Sequence, residues 1–314
     1  MACTIGIIGA GRVGSTIAYG LLENNLAARI LLVDLNKEQC HGEELDLSDA
    51  LAFSRTSSVK QVCFKDLETA NIIIIAAGKA QSSAQENRNE LIKTNQAIIS
   101  DICHNLSNIP KSTIIILVTN PVDIITRVAM EALPNHPRNH IFGSGTWLDT
   151  QRLRRILGNT VNVAPESIQA FIIGEHGDNQ IFAWQNATIG GIPLAAWNIE
   201  KNSLALIEEK TRSTVYEIIA SKQATYFGIA SCIVDICSAI IFDEHRILPL
   251  SWSQNPDEPP FSLPSIIGKD GIIKQYNLPL SEPEVNRLEE SRKQLNATWF
   301  SISHKEDTGG ITLR

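Results

Sequence analysis

Short apolar runs alternate with longer amphipathic stretches through the first half of the chain. Thr4–Ile8, Arg29–Asp34, Ile72–Ala76, Ile114–Val118 and His140–Gly143 read as strands, being short and dominated by β-branched or other apolar residues. Between them Val13–Asn24, Lys37–Leu51, Asn89–Leu106 and Pro121–Ala132 carry apolar positions at three-to-four spacing and stop near Asn, Gly or Pro, which predicts helices. The run Asn71-Ile-Ile-Ile-Ile-Ala has no polar alternation, as expected of a strand covered on both faces. Regular succession of strand and helix is the βαβ pattern, so residues 1–142 are expected to form a doubly wound parallel α/β sheet. From about Gly145 the texture changes. Helical stretches at Leu148–Leu157, Ala195–Glu200, Lys210–Ser221 and Ala224–Phe242 mix with short strand-like pieces, and residues 143–314 are expected to form a second domain of α+β type. Ser251-Trp-Ser-Gln-Asn-Pro-Asp-Glu-Pro-Pro-Phe reads as a hairpin-like surface loop, Ile266–Ile273 as a strand, and Glu282–Leu295 as a charged amphipathic helix.

Composition narrows the class. At 314 residues, 43% hydrophobic and 19% charged, the chain can bury a core of about two packed units and is not disordered. A formal net charge of -7 opposes binding to phosphate backbones or anionic lipid, so neither a nucleic acid nor a membrane partner is expected. The longest apolar runs, Ile72–Ala77 and Ile114–Val118, are far short of the roughly 20 residues that cross a bilayer. Cys3, Cys40, Cys63, Cys103, Cys232 and Cys237 contain no Cys-x-x-Cys, which signals neither zinc nor a disulfide framework. With no basic, apolar leader at the N-terminus, cytoplasmic residence is the expectation.

Gly9-Ala-Gly11-Arg-Val-Gly14 stands directly after the first strand and opens the first helix. In that context Gly9 permits a tight turn, Gly11 lets a pyrophosphate approach the backbone, and Gly14 allows close helix-to-strand packing. The helix N-terminus adds unpaired N–H donors. Asp34 ends the second strand, twenty positions beyond Gly14. There a carboxylate accepts ribose hydroxyls and repels a 2′-phosphate, so the N-terminal sheet is expected to be a Rossmann-type domain binding NAD rather than NADP. A strand-end turn is the plainer reading of Asp34. Arg88 in the polar stretch Gly78–Arg88, Asn120 in Asn-Pro-Val-Asp, and Asp149 with Arg152 in Asp-Thr-Gln-Arg each have a plain reading too. These are a solvated charge, a helix N-cap, and an i,i+3 ion pair. His176 lies between glycines in Ile172-Ile-Gly174-Glu-His176-Gly-Asp178, an unusual place for a core histidine and a suitable one for a proton carrier near neutral pH.

Taken together, Gly-Ala-Gly-Arg-Val-Gly, Asn-Pro-Val-Asp, Gly-Ser-Gly-Thr-Trp-Leu-Asp-Thr-Gln-Arg, Ile-Ile-Gly-Glu-His-Gly-Asp and Ala-Thr-Tyr-Phe-Gly resemble the lactate/malate dehydrogenase family, in order and spacing, from Thr4 to about Leu295. The resemblance implies hydride exchange between a 2-hydroxy acid and NAD. It makes His176 the proton acceptor, Asp149 the carboxylate that orients it, and Arg88 the loop arginine that polarises the ketone. Arg152 would grip the substrate carboxylate, and Asn120 would bond the reacting oxygen. It extends the cofactor set beyond Gly9, Gly11, Gly14 and Asp34 to Arg12, Val13, Ala77, Gly78, Asn95, Val118 and Asn120. The residue that separates lactate-type from malate-type members falls on Gln81 counting forward from Gly78 and on Ser82 counting back from Arg88. Neither is basic, which favours pyruvate over oxaloacetate, and Thr225 also matches the lactate type. The irregular Gln81-Ser-Ser stretch leaves a larger, 2-hydroxyisocaproate-type substrate open, and a dinucleotide-binding protein without turnover is the alternative of another class. Arg154 matches one half of a bisphosphate effector site of some members, but Gln169 stands where the other half needs His. A homotetramer is implied, with a dimer as the alternative.

Overall fold

The computed structural model describes residues 3–79 and 88–303. Its first half supplies β1 (Thr4–Ile8), α1 (Arg12–Glu23), β2 (Arg29–Val33), α2 (Lys37–Ala50), β3 (Ser58–Gln61), β4 (Ile72–Ile75), α3 (Arg88–Asn105), β5 (Ile114–Leu117), α4 (Val122–Ala132) and β6 (Ile141–Gly143). The six strands pair in parallel in the order β3-β2-β1-β4-β5-β6. The expected strands and helices are all present within a few residues of their predicted ends. The structure adds β3, an edge strand of mixed sequence in which only Val59 is buried, so it carries no apolar run to be recognised by. Chain direction along the sheet reverses between β1 and β4, and in such sheets ligands sit at the carboxyl ends of the strands at that reversal. The turns after β1, β2, β4 and β5 all open on this edge.

The second half runs α5 (Trp147–Val161), β7 (Ile168–Gln169), β8 (Ile172–Ile173), β9 (Ile181–Phe182), β10 (Thr188–Ile189), β11 (Ile192–Pro193), α6 (Lys201–Lys222), α7 (Phe227–Ile241), β12 (Arg246–Trp252), β13 (Phe261–Gly268), β14 (Gly271–Gln275) and α8 (Glu282–Ser303). The Pro-rich segment is the loop of the antiparallel β12–β13 hairpin, as its sequence predicts. Three details differ from expectation. The two helical stretches anticipated before Ser221 give way to a 3-10 turn at Leu194–Trp197 and one long α6, whose weak amphipathic pattern concealed its continuity. Ile266–Ile273 is not one strand but the turn of a second hairpin, made possible by Gly271 at φ +77°. α8 continues to Ser303, because Leu295, Trp299 and Ile302 carry its buried face onward.

Strands β12, β13 and β14 extend the parallel sheet to nine strands, joining it through the pairing of Ser251 with Gly143. A single core runs under the whole sheet and includes residues of α7, which packs on α1. A smaller core around Leu153, Leu157, Ile168 and Phe182 belongs to the second half alone.

The phosphate turn is held by two tight contacts. Gly9 adopts φ +98°, and its N–H bonds the Val33 carbonyl at 2.8 Å. Gly14 lies so close that a Cβ added there would sit 1.8 Å from the Gly9 carbonyl oxygen. Neither backbone can yield without moving α1 off β1. Gly14→Ala is therefore expected to cost about 3 kcal/mol despite the helix propensity of alanine, measured as a lowered denaturation midpoint.

Candidate active site

The carboxyl ends of β1, β2, β4 and β5 build a cradle from backbone. Gly11 is the N-cap of α1, with ordinary φ -74°, and a Cβ added there would meet no atom within 4 Å. The space beside it is open in front of the N–H groups of the first helical turn, as an approaching anion requires. Arg12 is exposed and Val13 half-buried on that turn. Asp34 takes the Ala10 N–H at 2.7 Å on one oxygen and the Asn36 N–H at 2.8 Å on the other. The turn reading of Asp34 therefore holds, while a carboxylate with about four acceptor positions keeps capacity for ribose hydroxyls. Asn95, 1% exposed, is a clamp: its Oδ1 accepts the Lys79 N–H at 2.7 Å, and its Nδ2 donates to the carbonyls of Lys79 and Asn120 at 3.1 and 2.8 Å. It ties the loop after β4 to the loop after β5. Thr119 reinforces the tie by donating to the Ala77 carbonyl at 2.6 Å. Gly78 must be glycine, because a Cβ would lie 2.4 Å from Thr119 Cγ2. Val118 is half-buried, and the Asn120 side chain is exposed at the same edge.

The second cluster is charged and mostly buried. α5 carries Asp149 in its first turn, where the helix dipole favours an anion, and Arg152 one turn later on the same face. Thr146, the N-cap of α5, and Thr150 within it bracket Ile172: Thr146 Oγ1 donates to the Ile172 carbonyl at 2.5 Å, and the Ile172 N–H donates to Thr150 Oγ1 at 3.0 Å. This fixes the end of β8, and the chain then turns at Gly174, φ +95°, which exchanges both backbone bonds with Ser262. His176 is thereby delivered to Asp149, with Nδ1 2.6 Å from Asp149 Oδ2, while Arg152 Nη1 donates to Asp149 Oδ1 at 3.2 Å. The ion pair expected from spacing alone and the His176 contact share one carboxylate, each on its own oxygen of Asp149. Burial would push the imidazole down. Asp149 in contact with Nδ1, and Asp123 nearby, outweigh it and hold the His176 pKa well above its ordinary value. Burial likewise favours a neutral Asp149, and His176 and Arg152 reverse that to leave it a stronger acid than usual.

Two members of the cluster escaped the sequence reading. Asp123, 2% exposed, accepts the His176 N–H at 2.8 Å and the Ser251 hydroxyl at 2.5 Å. A signal existed: Asp123 is the one carboxylate in the otherwise apolar start of α4, and an acid within a stretch apolar enough to be buried, as Val122–Met130 is, must have partners. Ser251 gave none, since nothing in the sequence of β12 foretells its pairing with Gly143. Thr225 sits half-exposed between α6 and α7. Arg88 begins α3, but its side chain, like the whole of Gln81 and Ser82, lies outside the described residues. Arg154 donates Nε to the Ala170 carbonyl at 3.1 Å and lies 5.2 Å over the Trp147 ring, with Gln169 exposed on β7.

Comparison with known proteins identifies the family. Residues 3–143 match the family model described as lactate/malate dehydrogenase, NAD binding domain, and residues 146–305 match its alpha/beta C-terminal domain. An L-lactate dehydrogenase of Kosmotoga olearia is 38% identical over 95% of this chain and 96% of its own length. L-lactate dehydrogenase A of Rhizopus oryzae is 36% identical over 95% and 92%. Among solved structures, a lactate dehydrogenase from a Medee basin deep-sea metagenome library superposes with TM-score 0.91 at 33% identity, covering 96% of this chain and 99% of that one. The minor L-lactate dehydrogenase of Enterococcus mundtii gives the same TM-score at 31% identity.

The open space at Gly11 makes a clean test of the cradle. Gly11→Ala should leave the melting temperature within about 1 °C, because the methyl meets nothing in the protein and alanine is only slightly worse than glycine at an N-cap. NADH affinity, measured by calorimetry or fluorescence, should fall tenfold or more (about 1.4 kcal/mol).

Proposed function

The chain belongs to the lactate/malate dehydrogenase family, and from that premise we propose how its residues carry out NAD-dependent interconversion of L-lactate and pyruvate. The chain is an oxidoreductase of L-lactate dehydrogenase type that uses NAD. The observation that carries the residue assignment is the chain Arg152–Asp149–His176, its carboxylate buried and its imidazole half-buried, with His176 Nδ1 committed to the carboxylate at 2.6 Å. That commitment leaves Nε2 as the atom that exchanges a proton with substrate. In oxidation Nε2 takes the hydroxyl proton, and in reduction it returns the proton to the carbonyl oxygen. Asp149 stabilises the imidazolium formed in between.

Bound NAD supplies the hydride acceptor in one direction and, reduced, the hydride donor in the other. The residues proposed to hold it are Gly9, Gly11, Arg12, Val13 and Gly14 at the phosphates, Asp34 at the ribose, and Ala77, Gly78, Val118 and Asn120 along the far edge, with Asn95 holding those loops. The open cradle at Gly11 and the spare acceptor capacity of Asp34 fit such a group. Arg152 offers a planar fork to the substrate carboxylate. Arg88 stabilises charge on the reacting oxygen, Asn120 bonds that oxygen, and Gln81 and Thr225 border the substrate side chain. A neutral Gln81, or Ser82 in its place, cannot neutralise the second carboxylate of oxaloacetate, which favours pyruvate. The Gln81-Ser-Ser sequence is the one feature that favours longer 2-keto acids as a second reading.

A bisphosphate effector has no part in the proposal, because Arg154 is engaged by the Ala170 carbonyl and the Trp147 ring. The proposed assembly is a homotetramer rather than a dimer, which light scattering distinguishes. The proposed location is the cytoplasm, a reducing compartment that suits six free cysteines. Among the described residues no helix is long and apolar enough to cross a membrane.

Purified protein with NADH is expected to reduce pyruvate with a higher kcat/KM than oxaloacetate or branched 2-keto acids; dominance of oxaloacetate would replace the lactate reading by a malate one. His176→Asn should lower kcat/KM by about 10²–10⁴-fold with NADH affinity unchanged, and loss of cofactor binding instead would place His176 in the wrong role. Reduction needs the imidazolium. Its kcat/KM should therefore be level at low pH and fall as pH rises through the His176 pKa, which is pushed up to about 9, whereas lactate oxidation should rise through the same value.

A further inference from the structure

Asp123 is a third carboxylate beside His176, and the reaction as described leaves it without a task. It lies on α4 among residues that are buried without a break from Val122 to Met130. Both of its oxygens act as acceptors, one for the His176 N–H at 2.8 Å and the other for Ser251 Oγ at 2.5 Å. That donor set suits the ionised, acceptor-only form. An isolated charge at such a place costs several kcal/mol of desolvation, and an amide or hydroxyl could cap the same N–H without it. The negative charge therefore calls for a reason beyond fixing a loop.

Its neighbours supply one. Facing Asp123 are His176 and Glu175 on the loop after β8 and Ser251 on β12. Facing the imidazole are Asp149 and Arg152 on α5 together with Asp123 on α4. We propose that Asp123 is a positioning residue for the acid–base step: its contact with the peptide N–H fixes the His176 backbone, and its charge, added to that of Asp149, holds the proton on the imidazole. The inference rests on the reading of His176 as the proton carrier. Burial pushes the Asp123 carboxyl up to about 6 and the two donors restrain it, so it is ionised across the range in which His176 exchanges its proton.

The test separates charge from scaffold. Asp123→Asn keeps the shape, since its carbonyl oxygen can accept the His176 N–H and its amide can donate to Ser251 Oγ. Ser251→Ala keeps the charge and removes the hydroxyl. The pH dependence of kcat/KM for pyruvate reduction and lactate oxidation is measured for both and for the unaltered enzyme. Asp123→Asn should move the His176-dependent limb of both profiles about one pH unit or more to lower pH, while Ser251→Ala leaves the limb in place whatever its kcat. An unshifted limb in Asp123→Asn, or an equal shift in Ser251→Ala, would overturn the proposal. If Asp123→Asn does not fold, Asp123→Ser removes the same charge and is held to the same shift. Should the unaltered enzyme turn over no keto acid, the functional reading is what fails. The His176 imidazole resonance, titrated by NMR in unaltered protein and variant, then decides the effect of the charge on its own.

Discussion

A half-buried imidazole that keeps its charge needs an anion beside it, and the contact between His176 Nδ1 and Asp149 Oδ2 at 2.6 Å is the one on which this structure turns. Burying either partner alone would cost several kcal/mol and neutralise it. Together, and with Arg152 on the other oxygen of Asp149, the group keeps its charges in a place from which substrate can displace water. Much of the second half can be understood as support for that contact. Thr146 and Thr150 seize Ile172, Gly174 turns the chain against Ser262, and the start of α5 points its dipole at Asp149. Each acts on the backbone, which is why a side chain on a loop can be placed as well as one on a helix.

The parallel sheet answers a different need. Its strand order brings the ends of β1 and β4 together, and what it presents there is mostly main chain: the Gly9 turn, the N-terminus of α1, and two loops clasped by Asn95. An anionic dinucleotide can bind a protein of net charge -7 because these N–H groups act over a few ångströms, whereas the net charge acts over distances that salt screens. The acidic surface and the anion site thus do not compete.

The parts legible in the sequence are those written in local patterns. Ile72–Ile75 and Ile114–Leu117 declare themselves because a strand covered on both faces cannot alternate, and Gly9, Gly11 and Gly14 because a helix start and a tight turn admit little else. Asp149 and Arg152 are three apart on one helix, so their partnership is local as well. β3 was not visible, having a polar edge sequence. The continuity of α6 was hidden by its weak periodicity. Ser251 was beyond reach because its meeting with Asp123 spans 128 positions and depends on how an antiparallel hairpin attaches to Gly143. The loop through Gln81 and Ser82 was read from sequence alone and has no structural counterpart among the described residues.

That attachment has a chemical consequence. β12 joins the sheet at the same level as the carboxyl end of β6, so Ser251 comes to lie beside Asp123 at the start of α4, and Asp123 in turn holds the backbone of His176. The His176 imidazole is therefore gripped from two directions, by α5 through its side chain and by α4 through its main chain, and both helices pack on β12. A shift of the second half against the sheet would break the grip from α4, while Asp149 and His176 would move together. Both grips are carboxylates, and both favour the protonated ring, so placing His176 and strengthening its hold on a proton are here one and the same structural act. An enzyme of this design gains geometric certainty at the cost of a base that releases its proton reluctantly, and Arg152, the cation set against the two carboxylates at the imidazole among the described residues, tempers that bias.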